Sequence, residues 1–373
     1  MVCPRSCLCA GTRRARLQAG VLPWPGRRVR EGLRLNTGDS REPLPDPGDG
    51  RYVVSTRMTG LGDRIICLGA AWRYARLTGR TLIADWRHGA YGLPNAANQF
   101  AACFEPAPLL AGVPFLGNYG LGRPLLPRPR HPPAWDDDRL VIWPYLRDDA
   151  AVLSDRDEAV TLIRAGRDVA APTVVLDACV NDGLVRFEEA REFLRGLRPV
   201  ATVAAAVERF VSAHLRGGPV IGLHVRHGNG GVTGHAHYWE RFEAAIGRCA
   251  RAVEAARAAL GRSAPVLLCT DSEPVERALR ARLDAVIVRD KRFRAAGQGE
   301  LHLGPGAAGT QRDALAEMLL LAECEALIRF PPGSFFSVLP AVLKRTHRVV
   351  PETLYDLQAP LDESDPLSPA LLL

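Results

Sequence analysis

Aromatic side chains make up only 6% of this 373-residue chain, and lysine is almost missing: Lys291 and Lys344 are the only two, every other basic residue being arginine. A binder of nucleic acid needs a basic stripe, and one for single strands interleaves it with aromatics; the body of the chain offers neither. The net charge of +7 does not alter this. Nine arginines fall in the first 41 residues against only Glu31 and Asp39, and the remainder is balanced, so nucleic acid is not an expected partner. Long apolar runs are lacking as well. The nearest, around Met318 to Ala322, is flanked by Glu317 and Glu323 and falls short of a membrane span. Nine cysteines, an odd number, lack the close, regular spacing of a disulfide scaffold. Cys67, Cys269 and Cys324 lie in apolar segments where cysteine behaves as a small hydrophobe, and a reducing, cytoplasmic setting is expected. Cys3, Cys7 and Cys9 crowd together, but no histidine stands near them to complete a zinc site.

What is present is apolar material, 47% of the chain, enough for two domains of ordinary size. Residues 1–49 mix arginine, proline and glycine without periodicity and without the apolar segment of a signal peptide, and read as a disordered basic tail. Order is expected from residue 50. RYVVS reads as a strand and TRMTGLG as a turn; Asp63 is a candidate cap for a helix ending at Gly79, with a second strand at 81–84. That is a βαβ unit. Strands are expected at 140–143 and 173–177, and the proline-rich connection between Pro106 and Pro133 reads as a functional loop or an excursion at the domain edge.

A second α/β set follows: a helix over 201–215, a strand over 219–225, a helix from about His237, then strands at 266–269, 285–288, 327–330 and 348–350. The helix after His237 carries Trp239, Phe242, Ile246, Cys249, Val253, Ala256 and Leu260 at steps of three and four, one apolar stripe. Alternating strands and helices imply doubly wound parallel sheets. The expected division is an N-terminal α/β domain at 50–200, a C-terminal α/β domain at 201–358 and a tail at 359–373.

Chemistry-bearing residues cluster after the strands of the second set. HVRHGNG, from His224 to Gly230, follows an apolar strand and places Arg226, His227 and Asn229 beyond its end. Thr270, Asp271 and Ser272 follow the next strand, then Lys291 and Arg292, then Ser334. Parallel strands bring all of these to one edge, where ligands of open α/β sheets sit. A guanidinium offers a planar fork matching a diphosphate, and helix N-termini near Ser272 and Ser334 would favour the same anion. Taken singly, each has a plainer reading: Arg226 as an ion-pair partner, Asp271 and Ser272 as helix caps. In the first set, the turn 59–63 is a lone Gly-x-Gly, with Arg57 and Asp63 facing the expected cleft.

Metal readings are weaker. His224, His227, His235 and His237 fall close together, but no carboxylate lies between them and a cation beside Arg226 would be repelled. Asp136 to Asp138, and Asp155 with Asp157, match the Asp-x-Asp letters of a metal-held nucleotide sugar, yet the first follows a proline-rich loop and the second reads as a capping box. No metal or other cofactor is expected. A base for proton abstraction is harder to find. The loop after Asn229 supplies no carboxylate, so His235 and His237 are the nearest titratable groups, and His235 is the candidate base.

The segments RYVVSTRMTGLGDRIICLGAAWRYARLTGRTLIADWR, VVLDACV, HVRHGNG with HAHYW, LLCTDS, KRF and IRFPPGSFFS, in this order, resemble the nodulation protein Z family of bacterial fucosyltransferases over residues 51–355. The resemblance implies a GT-B-like fold, two Rossmann-type doubly wound parallel-sheet domains facing a cleft, with the acceptor side in the first domain and GDP-fucose in the second. It implies an inverting, metal-independent transfer of L-fucose from GDP-fucose to the 6-OH of N-acetylglucosamine in a chitin-oligosaccharide-like acceptor. Arg226 corresponds to the family's essential arginine, and His227, Asn229, Thr270, Asp271, Ser272 and Ser334 to its nucleotide-sugar pocket. Glu317 stands where the family usually has aspartate, a longer carboxylate still able to reach a ribose or guanine edge. The competing expectation is a glycan- or nucleotide-binding homologue that has lost its base.

Overall fold

The structure is a computed structural model. It describes residues 50–57, 59–87, 91, 98–117, 126–136, 161–163, 165–177, 187–230, 239–260, 263–295, 300–302, 307, 309–331, 334, 336, 339–340 and 343. The expected tails, the strands at 140–143 and 348–350, the pair Asp155 and Asp157, and both His235 and His237 lie outside the described residues.

The first half is a six-stranded sheet. Tyr52–Ser55 (β1) leads into helix Leu61–Thr78 (α1), which returns to Thr81–Ala84 (β2), parallel to β1 with Tyr52 opposite Thr81. Gly79 stops α1 in the left-handed conformation, φ 69°, which glycine adopts without the clash of a Cβ. The helix starts three residues earlier than expected. Gly60 occupies the cap position, and Asp63 sits in the first turn, where its charge meets the positive end of the helix. Alternating residues of β1 serve two cores: Val53 faces α1, while Tyr52 and Val54 pack with Ile83, Trp135 and Val175 on the other face.

The proline-rich connection holds more structure than a loop. After the short helix Phe100–Cys103 (α2), it contributes Leu109–Leu110 (β3), Val113–Leu116 (β4) and Arg130–His131 (β5). Thr173–Leu176 (β6) completes the order β3-β4-β2-β1-β6-β5, parallel except for β3 against β4. β4 belongs to the sheet because three of its four residues are buried, and Pro114 takes the exposed position.

Helices Phe187–Gly196 (α3) and Ala201–His214 (α4) lead to the second sheet. It contains Ile221–Val225 (β7), Val266–Thr270 (β8), Val286–Val288 (β9) and Ala326–Phe330 (β10), all parallel, in the order β10-β7-β8-β9. Helices Phe242–Leu260 (α5), Glu273–Arg280 (α6) and Thr310–Glu323 (α7) connect these strands. The apolar stripe of α5 is buried at Ile246, Cys249, Val253 and Ala256 against Ile221, Leu223 and Val225; its helical conformation begins at Phe242 rather than near His237. On the opposite face, Leu267 and Cys269 meet Leu320 and Leu321 of α7.

Helix α7 serves both halves. Leu315, Ala316 and Met318 belong to the core around Val53 and Trp72, whereas Leu320 and Leu321 belong to the core beneath the second sheet. At its start, Gln311 Nε2 donates to Gln99 Oε1 at 2.7 Å and Arg312 Nε to the Ala102 carbonyl at 2.9 Å.

Candidate functional site

In the second sheet the chain runs outward from β7 through β8 to β9, then returns to place β10 on the other side of β7. The seam between β7 and β10 is therefore the switch point, where connections leave in opposite directions and open a crevice at the strands' carboxyl ends. Arg226 occupies that seam. Its backbone N–H donates to the Phe330 carbonyl at 2.7 Å, and its own carbonyl accepts from Trp239 Nε1 at 3.1 Å. A cleft of about 420 Å³ opens here, lined from the first half by residues 59–63 and Tyr91. From the second half it is lined by His224, Arg226, Thr270, Asp271, Lys291 and Glu317, with Ser334 and Phe336 beside them.

Asp271 organises the turn that carries Arg226. Its Oδ1 accepts from the His227 N–H at 2.8 Å, its Oδ2 from the Gly228 N–H at 2.9 Å, and the same oxygen holds Arg226 Nη1. Burial opposes the charge on Asp271, but Arg226 and the two N–H donors outweigh it and hold the carboxyl below the ordinary value of 3.8. Asp271 is thus not a helix cap; it fixes the arginine and its backbone together. The second fork of Arg226 is also filled, with Nη2 2.8 Å from Glu300 Oε1. Glu300 Oε2 in turn lies 2.8 Å from His302 Nε2. Burial alone would raise Glu300; the His302 hydrogen bond and the Arg226 charge bring it below its usual 4.5.

The remaining cations are matched in the same way. Lys291, 8% exposed, meets Glu317 Oε1 at 2.5 Å. Burial pulls that ammonium down, and Glu317 more than reverses the effect, so lysine stays charged. Arg289 pairs with Asp313 at 2.7 Å, and Arg292 is exposed. His224 differs: burial drives its pKa from 6.5 to about 3, despite Asp271, and it stays neutral, stacked on Phe336 at 4.8 Å.

Arg226, Thr270, Asp271, Glu317, Ser334 and Asp63 all line this cleft, while several other expected residues do different work. The His227 ring packs edge-on against Trp239, centroids 4.7 Å apart, and is absent from the lining; its backbone N–H is what serves the site. Asn229, in the left-handed conformation at φ 51°, is buried and donates through Nδ2 to the carbonyls of Arg294 and Ala295 at 3.2 and 3.0 Å. Ser272 takes the cap position of α6, but its hydroxyl makes no capping bond and is fully buried without a partner among the described residues. Arg57 turns away from the lining, donating from Nη1 to the Asp177 carbonyl at 3.1 Å and from Nε to Thr59 Oγ1 at 3.2 Å. Of the Asp-x-Asp candidates, Asp136 accepts the Arg130 N–H at 2.7 Å, a local structural bond. Among the described residues no group of three His, Cys, Asp or Glu side chains could hold a metal ion.

Sequence reasoning missed Tyr91, Glu300 and His302. The Tyr91 hydroxyl accepts the Leu61 N–H at 3.1 Å, and burial raises its pKa to about 12. Its backbone N–H donates to the His302 carbonyl at 2.8 Å, tying the two halves together across the cleft. Among the described residues no helix is long and apolar enough to cross a membrane.

Comparison with known proteins places this architecture. The family model for nodulation protein Z matches residues 49–361. The nodulation protein Z of Sinorhizobium fredii is 39% identical over 292 residues, covering 77% of this chain and 89% of that protein. The crystal structure of the fucosyltransferase NodZ from Bradyrhizobium superposes with a TM-score of 0.66 at 30% identity, covering 79% of this chain and 92% of that one. A structure of the alpha-1,6-fucosyltransferase NodZ soaked with GDP-fucose gives 0.63 at 31% identity, with the same 79% and 92% coverage. The two parallel sheets and the cleft between them thus form a GT-B-like fold, and the chain belongs to the nodulation protein Z family.

Proposed function

We propose that this protein transfers L-fucose from GDP-fucose to the 6-OH of N-acetylglucosamine in a chitin-oligosaccharide-like acceptor, with inversion and without a metal ion. The second half is the donor side and the first half the acceptor side. The observation that carries this reading is Arg226, a guanidinium held on both forks by carboxylates and set at the switch point of the second sheet in a chain of this family. The α-1,6-fucosyltransferase soaked with GDP-fucose supports the donor.

In this reaction the acceptor oxygen forms a bond to fucose C1 from the face opposite GDP. The bond from C1 to the β-phosphate oxygen breaks, and its electron pair stays on the phosphate. Arg226 meets that developing charge, a contribution typically of about 3 to 4 kcal/mol per donor group. Lys291 and the start of α7 lie close enough to the lining to favour the rest of the diphosphate. Thr270, Ser334 and Glu317 offer hydroxyl and carboxylate partners for the nucleoside, and Asn229, Asp271 and the His227 backbone hold the loop that presents Arg226. Asp63, at the rim of α1, faces the acceptor.

The test is GDP release from GDP-fucose with and without chitin oligosaccharides, run in parallel with EDTA, and product linkage by NMR. The expected result is acceptor-stimulated GDP release, an α-1,6-linked fucose and no effect of chelation. Donor binding without turnover on any N-acetylglucosaminyl acceptor would replace the enzyme with a binding homologue. Activity lost to EDTA and restored by manganese or magnesium would overturn the metal-free mechanism.

A further inference from the structure

We infer that His302, oriented by Glu300, is the base that takes the proton from the acceptor hydroxyl, and that donor binding switches this pair on. The inference rests on the fucosyl-transfer reading above and adds the group that reading lacks.

Three observations meet at this pair. Glu300 is shared: Oε1 holds Arg226 Nη2 and Oε2 holds His302 Nε2, each at 2.8 Å. With Nε2–H donated to a carboxylate, the neutral imidazole keeps its lone pair on Nδ1, the tautomer of a base with an acidic orienter. His302 also reaches the acceptor side. Its carbonyl accepts the Tyr91 N–H, its ring lies 5.7 Å from the Tyr91 ring, and a Cβ on Gly60 would come within 3.8 Å of Nε2. Glu300 itself is fixed from behind. Its carbonyl accepts Arg294 Nη1 at 2.9 Å, and Asn229 holds the carbonyls of Arg294 and Ala295. The HGN turn therefore positions both the arginine and the carboxylate that touches it.

The charge balance supplies the switch. Both forks of Arg226 are occupied by carboxylates, Asp271 and Glu300, and among the described residues backbone N–H groups donate to the side chain of Asp271 but not to that of Glu300. A diphosphate taking Nη2 displaces Glu300 rather than Asp271. Released from the guanidinium, Glu300 retains His302 alone and carries a full charge with which to stabilise the imidazolium. In the transfer step the acceptor oxygen bonds to fucose C1, its proton moves to His302 Nδ1, and the C1–O electron pair leaves with GDP. Among the described residues the groups facing His302 are the Glu300 carboxylate, the neutral Tyr91 ring and, through Glu300, the Arg226 guanidinium.

The test combines three variants of the full chain with GDP-fucose and chitin oligosaccharides. Glu300→Gln is expected to bind GDP several-fold more tightly, because a competing anion is gone, yet to transfer at least ten-fold more slowly. A residue with only a structural role would not move these two quantities in opposite directions. His302→Ala is expected to keep donor affinity and lose at least a hundred-fold in kcat, with partial recovery on added imidazole. His235→Gln is expected to retain transfer. Wild-type rates in His302→Ala, or loss of transfer in His235→Gln, would overturn the inference while fucosyl transfer stood. A wild-type protein releasing no GDP from GDP-fucose would remove both.

Discussion

Asp271 grips the guanidinium of Arg226 and, with the same carboxylate, the two backbone N–H groups that follow it. Replacing it with asparagine leaves an acceptor but removes the charge, and breaking one partner of a buried pair typically costs about 3 to 5 kcal/mol. Glu300 remains on the second fork, so Asp271→Asn is expected near the lower figure by denaturant unfolding at pH 7. The folded-state pKa of Asp271 lies below 3.8, so its stabilisation is fully present above that value and lost as pH falls through the folded one. The stability gap between wild type and variant should hold from pH 7 to 5 and close below 3.8. A gap that already narrows at pH 6 would contradict the pairing.

His224 acts in the same direction, over a higher pH window. The unfolded chain takes up its proton near 6.5, whereas the folded chain resists until about 3. Between those values the unfolded state binds one more proton, and the protein loses about 1.4 kcal/mol per pH unit on acidification. Asp271, Arg226, Lys291 and Arg329 are the charges that act on the ring. His224→Phe keeps the stack on Phe336 and should flatten the stability profile between pH 6 and 4. Parallel profiles for the two proteins would place the acid sensitivity elsewhere.

Arg226→Lys should fold as the wild type does, since Asp271 still meets a cation, yet lose roughly a hundred- to thousand-fold in transfer, the range for removing one charge-stabilising donor. A lysine supplies charge without the planar fork that spans two anions. Circular dichroism would report the fold and GDP release the rate; near-native turnover would detach Arg226 from the chemistry.

Gly222 in β7 lies beneath α7, where an added Cβ would come within 3.0 Å of Leu321 Cδ2 and 3.2 Å of Cys324 Cβ and Sγ. Gly222→Ala should therefore lower stability by about 1 to 3 kcal/mol through overpacking. An unchanged melting temperature would mean that α7 moves outward freely.

The pattern of the chain made β1, α1, β2 and the parallel strands of the second sheet legible, because continuous apolar runs and a three-four stripe leave few alternatives. Gathering Arg226, Thr270, Asp271 and Ser334 at one cleft followed from parallel strands alone. What remained hidden was direction. Whether His227 presents its ring or its backbone depends on Trp239, twelve residues on, and Asn229 turned out to serve a segment 65 residues away. β4 and β5 escaped notice because each is short and neighbours proline. Glu300 and His302 gave one faint signal, a carboxylate and an imidazole two residues apart in a glycine-bearing stretch, without periodicity to place them.

Helix α7 gives the order of synthesis a physical meaning. The first half cannot complete its core until Leu315, Ala316 and Met318 arrive, and these leave the ribosome long after the strands they cover. A nascent chain holding only the first sheet thus lacks the apolar residues that α7 brings against α1 and α2 while the second sheet is being made. Part of the first half's core is thus laid down only after β7, β8 and β9 have been synthesised.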